Sequence, residues 1–238
     1  AGVGLAALAT GRSALVLLRA GRADEAGPFA REALLRYASA DQTTDVANGL
    51  GRLHTVLGHI AVRNDDVEAA WMAYTAARDH LRRGNDAVGA AMAQLSMGNA
   101  AFRGGDLGRA EAIYREAMEA FRVIDYVHGI TVARTNLGNV LLDQGDSVAA
   151  LAELTAAEQA MRERSLLDNL PETLRLIALC NLERGNLRGA ADKAREAVAL
   201  ARQLGNAAME KAAADVADEV AAREADPSLI DTVIDPNP

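Results

Sequence analysis

Arg19, Arg63 and Arg103 stand 44 and then 40 residues apart, and Asn99 and Asn139 are also separated by 40. A guanidinium group pairs a carboxylate or phosphate through two parallel hydrogen bonds. A carboxamide both donates and accepts, which suits the backbone of an extended peptide. Rows of such side chains at one spacing fit recognition of an acidic or phosphorylated chain better than they fit catalysis. His59 occupies the same place in its row as Asn99, while Arg12, Arg52 and Asn136 lie close by in sequence. The candidate binding residues are therefore Arg12, Arg19, Arg52, His59, Arg63, Asn99, Arg103, Asn136 and Asn139. A plainer reading competes, in which the arginines are solvated helix ends and the asparagines serve packing.

Other chemistry finds no constellation in this sequence. His54 and His59 are five residues apart, which on a helix does not give the shared face that a metal pair needs. The remaining histidines, His80 and His128, are isolated in sequence and read as structural. The run Gly104-Gly105-Asp106-Leu107-Gly108 lacks the Lys and Ser/Thr of a phosphate loop. Ser96, Ser165 and Cys180 have no base at a predictable position. We expect no catalytic residue, no metal and no cofactor.

The elements that must position these residues repeat. Small residues with a turn between them recur as Gly58, Asp65-Asp66, Ala70, Tyr74 and Ala77, then as Gly98, Gly105-Asp106, Ala110, Tyr114 and Ala117. Gly138, Gly145-Asp146, Ala150, Leu154 and Ala157 follow, and then Ala178, Gly185-Asn186, Ala190, Ala194 and Ala197. A first copy holds Ala14, Gly21-Arg22, Ala26, Ala30 and Ala33. The turn alanines at 26, 70, 110, 150 and 190 give a period of 44 once and 40 three times. Such a period marks a stacked array of helix hairpins, in which each hairpin buries its apolar face only against its neighbours. Gly or Ala at the crossings lets the backbones approach. The four extra residues fall in the stretch from Ser39 to Thr44.

These positions resemble the tetratricopeptide repeat, whose usual period is 34 residues. The resemblance rests on the Leu-Gly, Ala-x3-Tyr and third Ala positions and covers residues 1 to about 223. The early Trp position holds His54, Gln94, Arg134 and Leu174, the Tyr position holds Ala61, Ala101, Leu141 and Asn181, and the closing Pro is absent. The 40-residue spacing is similar to the long-helix variety of kinesin light chains and of the C-terminal arms of bacterial STAND-type signal-transducing ATPases. Ile124 to Asp146, with its core Asn136-Leu137-Gly138-Asn139, is especially similar to the second group. The resemblance implies an all-α, right-handed superhelical solenoid of five helix hairpins plus a C-terminal capping helix. Repeats are expected at about 1–40, 43–84, 86–124, 126–166 and 170–205, with a cap helix at 206–223 and a non-helical tail at 224–238. It also implies that the first helix of each hairpin lines a groove. That groove would carry the rows above, with Val56, Ser96 and Arg175 beside them, basic in the first three repeats and acidic at Asp143 and Glu183.

Composition agrees with this reading. Half the residues are apolar and only 3% aromatic, and the net charge of −8 argues against direct nucleic-acid binding. The single Cys180 excludes a disulfide framework and, with no apolar run of 18 residues and no signal peptide, suggests a cytoplasmic protein away from membranes. Of the 25 basic residues only Lys193 and Lys211 are Lys, a bias that points to a GC-rich bacterial genome. Pro28 and Pro171 are expected near helix starts. Trp71, Tyr37, Tyr74, Tyr114 and Phe121 read as packing between repeats.

The two ends differ. Residues 1–20 are apolar on more than one face, whereas 206–223 are polar on one side, as a cap should be. We therefore expect the C-terminal part of a longer protein: a non-catalytic peptide- or protein-binding arm, or sensor, of a bacterial signalling or transcription regulator. The alternative is a free-standing adaptor or self-assembling scaffold, in which Leu229, Ile230, Val233 and Ile234 of the acidic tail 226–238 engage the basic groove of another copy.

Overall fold

A computed structural model describes residues 2–38 and 43–225, with backbone alone for 2–9, 19, 23, 24 and 38. The expectations for residues 39–42 and for the tail from 226 onward lie outside the described residues.

Among the described residues the chain is all-α, with eleven helices. They are α1 (Gly2–Arg19), α2 (Ala23–Ala38), α3 (Thr44–Arg63), α4 (Val67–Arg83), α5 (Ala87–Arg103), α6 (Leu107–Val123), α7 (Val127–Asp143), α8 (Ser147–Glu163), α9 (Leu170–Glu183), α10 (Leu187–Gln203) and α11 (Ala207–Ala225). Two compact units result, Ala1–Tyr126 and Val127–Pro238. In the first, α1 packs on α2, α3 on α4 and α5 on α6, with α2 against α3 and α4 against α5. In the second, α7 pairs with α8 and α9 with α10, and α11 covers α9 and α10. The helix α11 spans Ala207–Ala225, beside the 206–223 expected for the cap helix.

One turn recurs with a period half that of the repeat. Residues with positive φ stand at 65, 85, 105, 125, 145, 165, 185 and 205, twenty residues apart. Each lies just past a helix end, in the left-handed conformation that closes a helix. At the first of them, Asp66 N–H bonds back to the Ala61 carbonyl at 2.9 Å. The same Asp66 side chain then caps the next helix by accepting from Ala69 N–H. Asp86, Asp106, Asp146, Asn186 and Asn206 do likewise. One residue thus ends one helix and starts the next, which explains why the turns are short and uniform.

Burial separates the two helices of a hairpin. The second helices α4 and α10 bury four residues each along one stripe, such as Ala70, Tyr74, Ala77 and Leu81. The first helices α5, α7 and α9 bury nine or ten, because each is covered on several sides. All five turn alanines are fully buried. Pro171 is at a helix start as expected. Pro28 is not: it is the sixth residue of α2, where its missing N–H costs a helical hydrogen bond. Tyr37, Tyr74, Tyr114 and Phe121 are buried between helices, in agreement with a packing role.

Candidate functional site

Because the first helices are buried on several sides, each keeps one narrow stripe toward solvent, and the candidate residues fall on it. On α3 the stripe runs through Asp45, Arg52, His59 and Arg63. On α5 it runs through Val88, Met92, Ser96, Asn99 and Arg103. In the second unit it holds Asn136, Asn139 and Asp143 on α7 and Glu172, Arg175, Leu179 and Glu183 on α9. The spacing of four, four, three and four residues is that of one helix face.

The side chains differ in how free they are. Arg103 donates to Asp65 Oδ1 at 2.9 Å, across 38 residues, so it ties its hairpin to the preceding turn. Tyr114 donates its hydroxyl to Asn99 Oδ1 at 2.7 Å. His59 stands edge-on to Tyr74, with ring centroids 5.6 Å apart, and burial of the ring lowers its pKa. Asn136 also has a partner within the protein. Arg12, Arg52, Arg63 and Asn139 have no ion pair or hydrogen bond to a side chain among the described residues. The side chain of Arg19, the last residue of α1, lies outside those described.

Arg12 and Arg52 meet at a cavity of 290 Å³ in the first unit, between α1, the end of α2 and α3. Leu15, Leu53 and Val56 form its walls, and Asp45 and Tyr37 also line it. Val56, expected on the groove surface, is 2% exposed and belongs to this wall. The cavity was not legible from the repeat frame. Its signal was Gly49, where a Cβ would collide with Tyr37 Oη, so that only glycine leaves room for the ring. The Asn48 Nδ2 donates to the Gly84 carbonyl at 3.0 Å, while its Oδ1 is buried with no hydrogen-bond partner among the described residues.

In the second unit the stripe is acidic. Burial raises the pKa of Glu183, and the charge of Asp143 adds to this, while Arg223 opposes it. Arg175 is held by Glu172 at 2.8 Å and so offers little free charge. Two further pairs escaped the sequence reading. His54 and His80 stack with centroids 5.3 Å apart, and Arg109 lies 3.5 Å over the ring of Trp71, linking α6 to α4. No group of His, Cys, Asp and Glu among the described residues could hold a metal ion. Cys180 is buried, and burial pushes its thiol up to about 12, far from a reactive thiolate. No helix among the described residues is long and apolar enough to cross a membrane.

The sequence matches no family model and no curated protein. Solved structures do match. The apo form of RapI is similar over 83% of this chain and 70% of its own, at 14% identity and a TM-score of 0.74. The Rap conjugation gene regulator of the plasmid pLS20, in complex with the Phr* peptide, is similar over 91% of this chain and 63% of its own, at 18% identity and a TM-score of 0.70. A STAND protein with a tetratricopeptide repeat sensor from Pyrococcus horikoshii is similar over 98% of this chain and 39% of its own, at 10% identity and a TM-score of 0.72. At such identities the likeness is one of fold, and that fold is a tetratricopeptide-like array of helix hairpins resembling those of Rap proteins and of a STAND sensor.

Proposed function

We propose that this chain is a non-catalytic peptide- or protein-binding domain that serves as the sensor or interaction arm of a larger bacterial signalling or transcription regulator in the cytoplasm. The observation that carries this reading is the solvent stripe of the first helices. In the first unit it presents Arg12, Arg52 and Arg63, none with an ion pair among the described residues. Unpaired guanidinium groups on a fixed scaffold are an acceptor surface for carboxylates. In the second unit Asn139 has a carboxamide without a side-chain partner among the described residues, one helical turn before Asp143, which suits a peptide backbone or a basic side chain. Two neighbours in fold add support, since one was solved with a peptide and another carries its repeats as a sensor.

The test is binding of an array of acidic and basic peptides by the full chain, compared with Arg63→Glu combined with Arg103→Glu. Loss of the acidic binders at an unchanged melting temperature supports the reading. Unchanged affinities, or no binder of either class, remove it.

A second reading follows from the tail sequence, in which Leu229-Ile230-Asp231 and Val233-Ile234-Asp235 each place a carboxylate after two apolar residues. The chain would then be an adaptor or scaffold that joins copies through this segment. Sedimentation velocity of the full chain beside one ending at Arg223 separates the two. Oligomers that fall to monomers without the tail favour the scaffold.

A further inference from the structure

The cavity between α1 and α3 has a feature that its packing does not explain. Asn48, which lines it, has its Oδ1 buried with no hydrogen-bond partner among the described residues. Buried polar atoms ordinarily find one. The Tyr37 hydroxyl, which also lines the space, has no partner there either. Tyr114, in contrast, bonds Asn99. Tyr37 lines a space of 290 Å³, a size that holds one large amino-acid side chain or a little more. The walls are apolar at Leu15, Leu53 and Val56. At the cavity stand Arg12 and Arg52, both exposed and neither ion-paired among the described residues, with Asp45 the one carboxylate among the described residues that line it.

We infer that this cavity is the anchor subsite of the peptide surface, taking one leucine- or phenylalanine-sized side chain that is followed or preceded by Asp or Glu in a partner protein. The inference rests on the peptide-binding reading of the first unit and names its specificity. The apolar group fills the walls, and a peptide carbonyl accepts from the Tyr37 hydroxyl. The neighbouring carboxylate stays at the rim between Arg12 and Arg52. Asp45 tells against a bare multivalent anion such as phosphate, since it would lie beside like charge. It suits a peptide, because an N–H of the bound backbone can donate to it.

The deciding measurement is fluorescence anisotropy of labelled pentapeptides on the full chain. The peptides have a central Leu flanked by Asp, by Asn or by Arg, with a central Ser flanked by Asp as control. The Asp-flanked Leu peptide should bind at least about tenfold more tightly than the other three, the gain expected from one charge-assisted pair together with one buried apolar side chain. Arg12→Glu combined with Arg52→Glu should erase that preference. Tyr37→Phe keeps the packing and should weaken binding by about threefold, the worth of one net hydrogen bond. Melting curves of both variants should match the wild type. The inference falls if Leu and Ser peptides bind alike, if either variant leaves affinity unchanged, or if N-acetyl-leucine competes as well as the peptide. Should the acidic peptides bind, indifferent to Arg52 but abolished by Arg63→Glu with Arg103→Glu, the peptide surface stands and this subsite does not. If none of the peptides binds, the subsite falls, while the acidic and basic array on the wild type decides the broader reading.

Discussion

Gly138 on α7 and Leu154 on α8 are in such close contact that a Cβ on the glycine would lie 2.5 Å from Leu154 Cγ. The same pair of positions holds Gly98 beside Tyr114 and Gly58 beside Tyr74, whereas the last hairpin holds Ala178 and Ala194. Size is therefore exchanged across the crossing, with glycine where the partner is large and alanine where it is small. Gly138→Ala should destabilise the second unit by about 1–3 kcal/mol through overpacking, and Gly138→Leu by more. Leu154→Ala should cost less in the Gly138→Ala background than alone, because the added methyl fills part of the space the leucine leaves, as at Ala178 and Ala194. Denaturant unfolding of the two single variants and the double variant measures the coupling, and additive effects would contradict the exchange.

His54 and His80 give the first unit a pH dependence. Burial lowers the pKa of His54, and the charge of His80 lowers it further. Burial likewise lowers that of His80, with Arg83 adding to it and Asp79 opposing. Arg83 also lies within hydrogen-bond distance of His80 Nδ1, at 3.1 Å. A histidine whose folded pKa is depressed contributes stability that is present above its unfolded value of about 6.5 and lost as pH falls through the folded value. The melting temperature should thus drop on acidification from about pH 7.5 to 5.5 in this window. Replacing both by Phe keeps the stacked rings and should flatten the profile. A wild-type curve as flat as that of the variant would show that the pair does not charge on unfolding.

Much of this architecture was readable before any coordinates. The 40-residue period gave the hairpins, and the Gly, Asn and Asp punctuation gave their ends, because both follow from local backbone chemistry. The 20-residue period was missed since two of its positive-φ residues are Asp125 and Ser165, which carry no glycine signal. Within each of α3, α5, α7 and α9 the candidate residues stand at the spacing of one helix face. Their freedom was not legible: nothing local says that Arg103 is held by Asp65 from 38 residues away while Arg63 is not. Nor does spacing reveal the Tyr37 cavity, which depends on Gly49 and on the neighbouring helix.

The turn at Ser165 offers a stabilising change. Its φ of 56° is in the left-handed region, where an L side chain costs roughly 1–2 kcal/mol that glycine avoids. Glycine loses some of that gain to the entropy of the unfolded chain. Ser165→Gly should therefore raise stability by about 0.5–1 kcal/mol. The reverse change at Gly145, which has a φ of 82° and open space around its Cβ, isolates the conformational part. Gly145→Ala should cost about 1 kcal/mol. No gain at Ser165 together with a loss at Gly145 would mean that the serine side chain supports its own turn.

Glu158 ties α8 to α10 in the second unit, and acid should untie it. Its side chain is 12% exposed and receives Lys193 Nζ at 2.6 and 2.8 Å and Arg162 at 2.7 and 2.9 Å, while Arg162 also reaches Glu196 at 2.6 Å. Burial opposes ionisation of Glu158, but the hydrogen bonds and charges of Lys193 and Arg162 outweigh it and hold the pKa below the ordinary glutamate value. A carboxyl with a depressed folded pKa contributes stability above its unfolded value and loses it as pH falls through the folded one. Stability should accordingly decline below about pH 4.5 in the wild type, and Glu158→Gln should lack this part of the decline. Near neutral pH that variant should lose about 1–2 kcal/mol, because the half-buried Lys193 loses its charged partner while the exposed Arg162 keeps only Glu196. Replacing Glu158 and Lys193 together by Met removes the charge and its counter-charge, so the double variant should lose less than the sum of the single ones. If the single losses add, or if Glu158→Gln keeps the full acid decline, the bridge is a surface ornament and apolar packing alone joins the two helices.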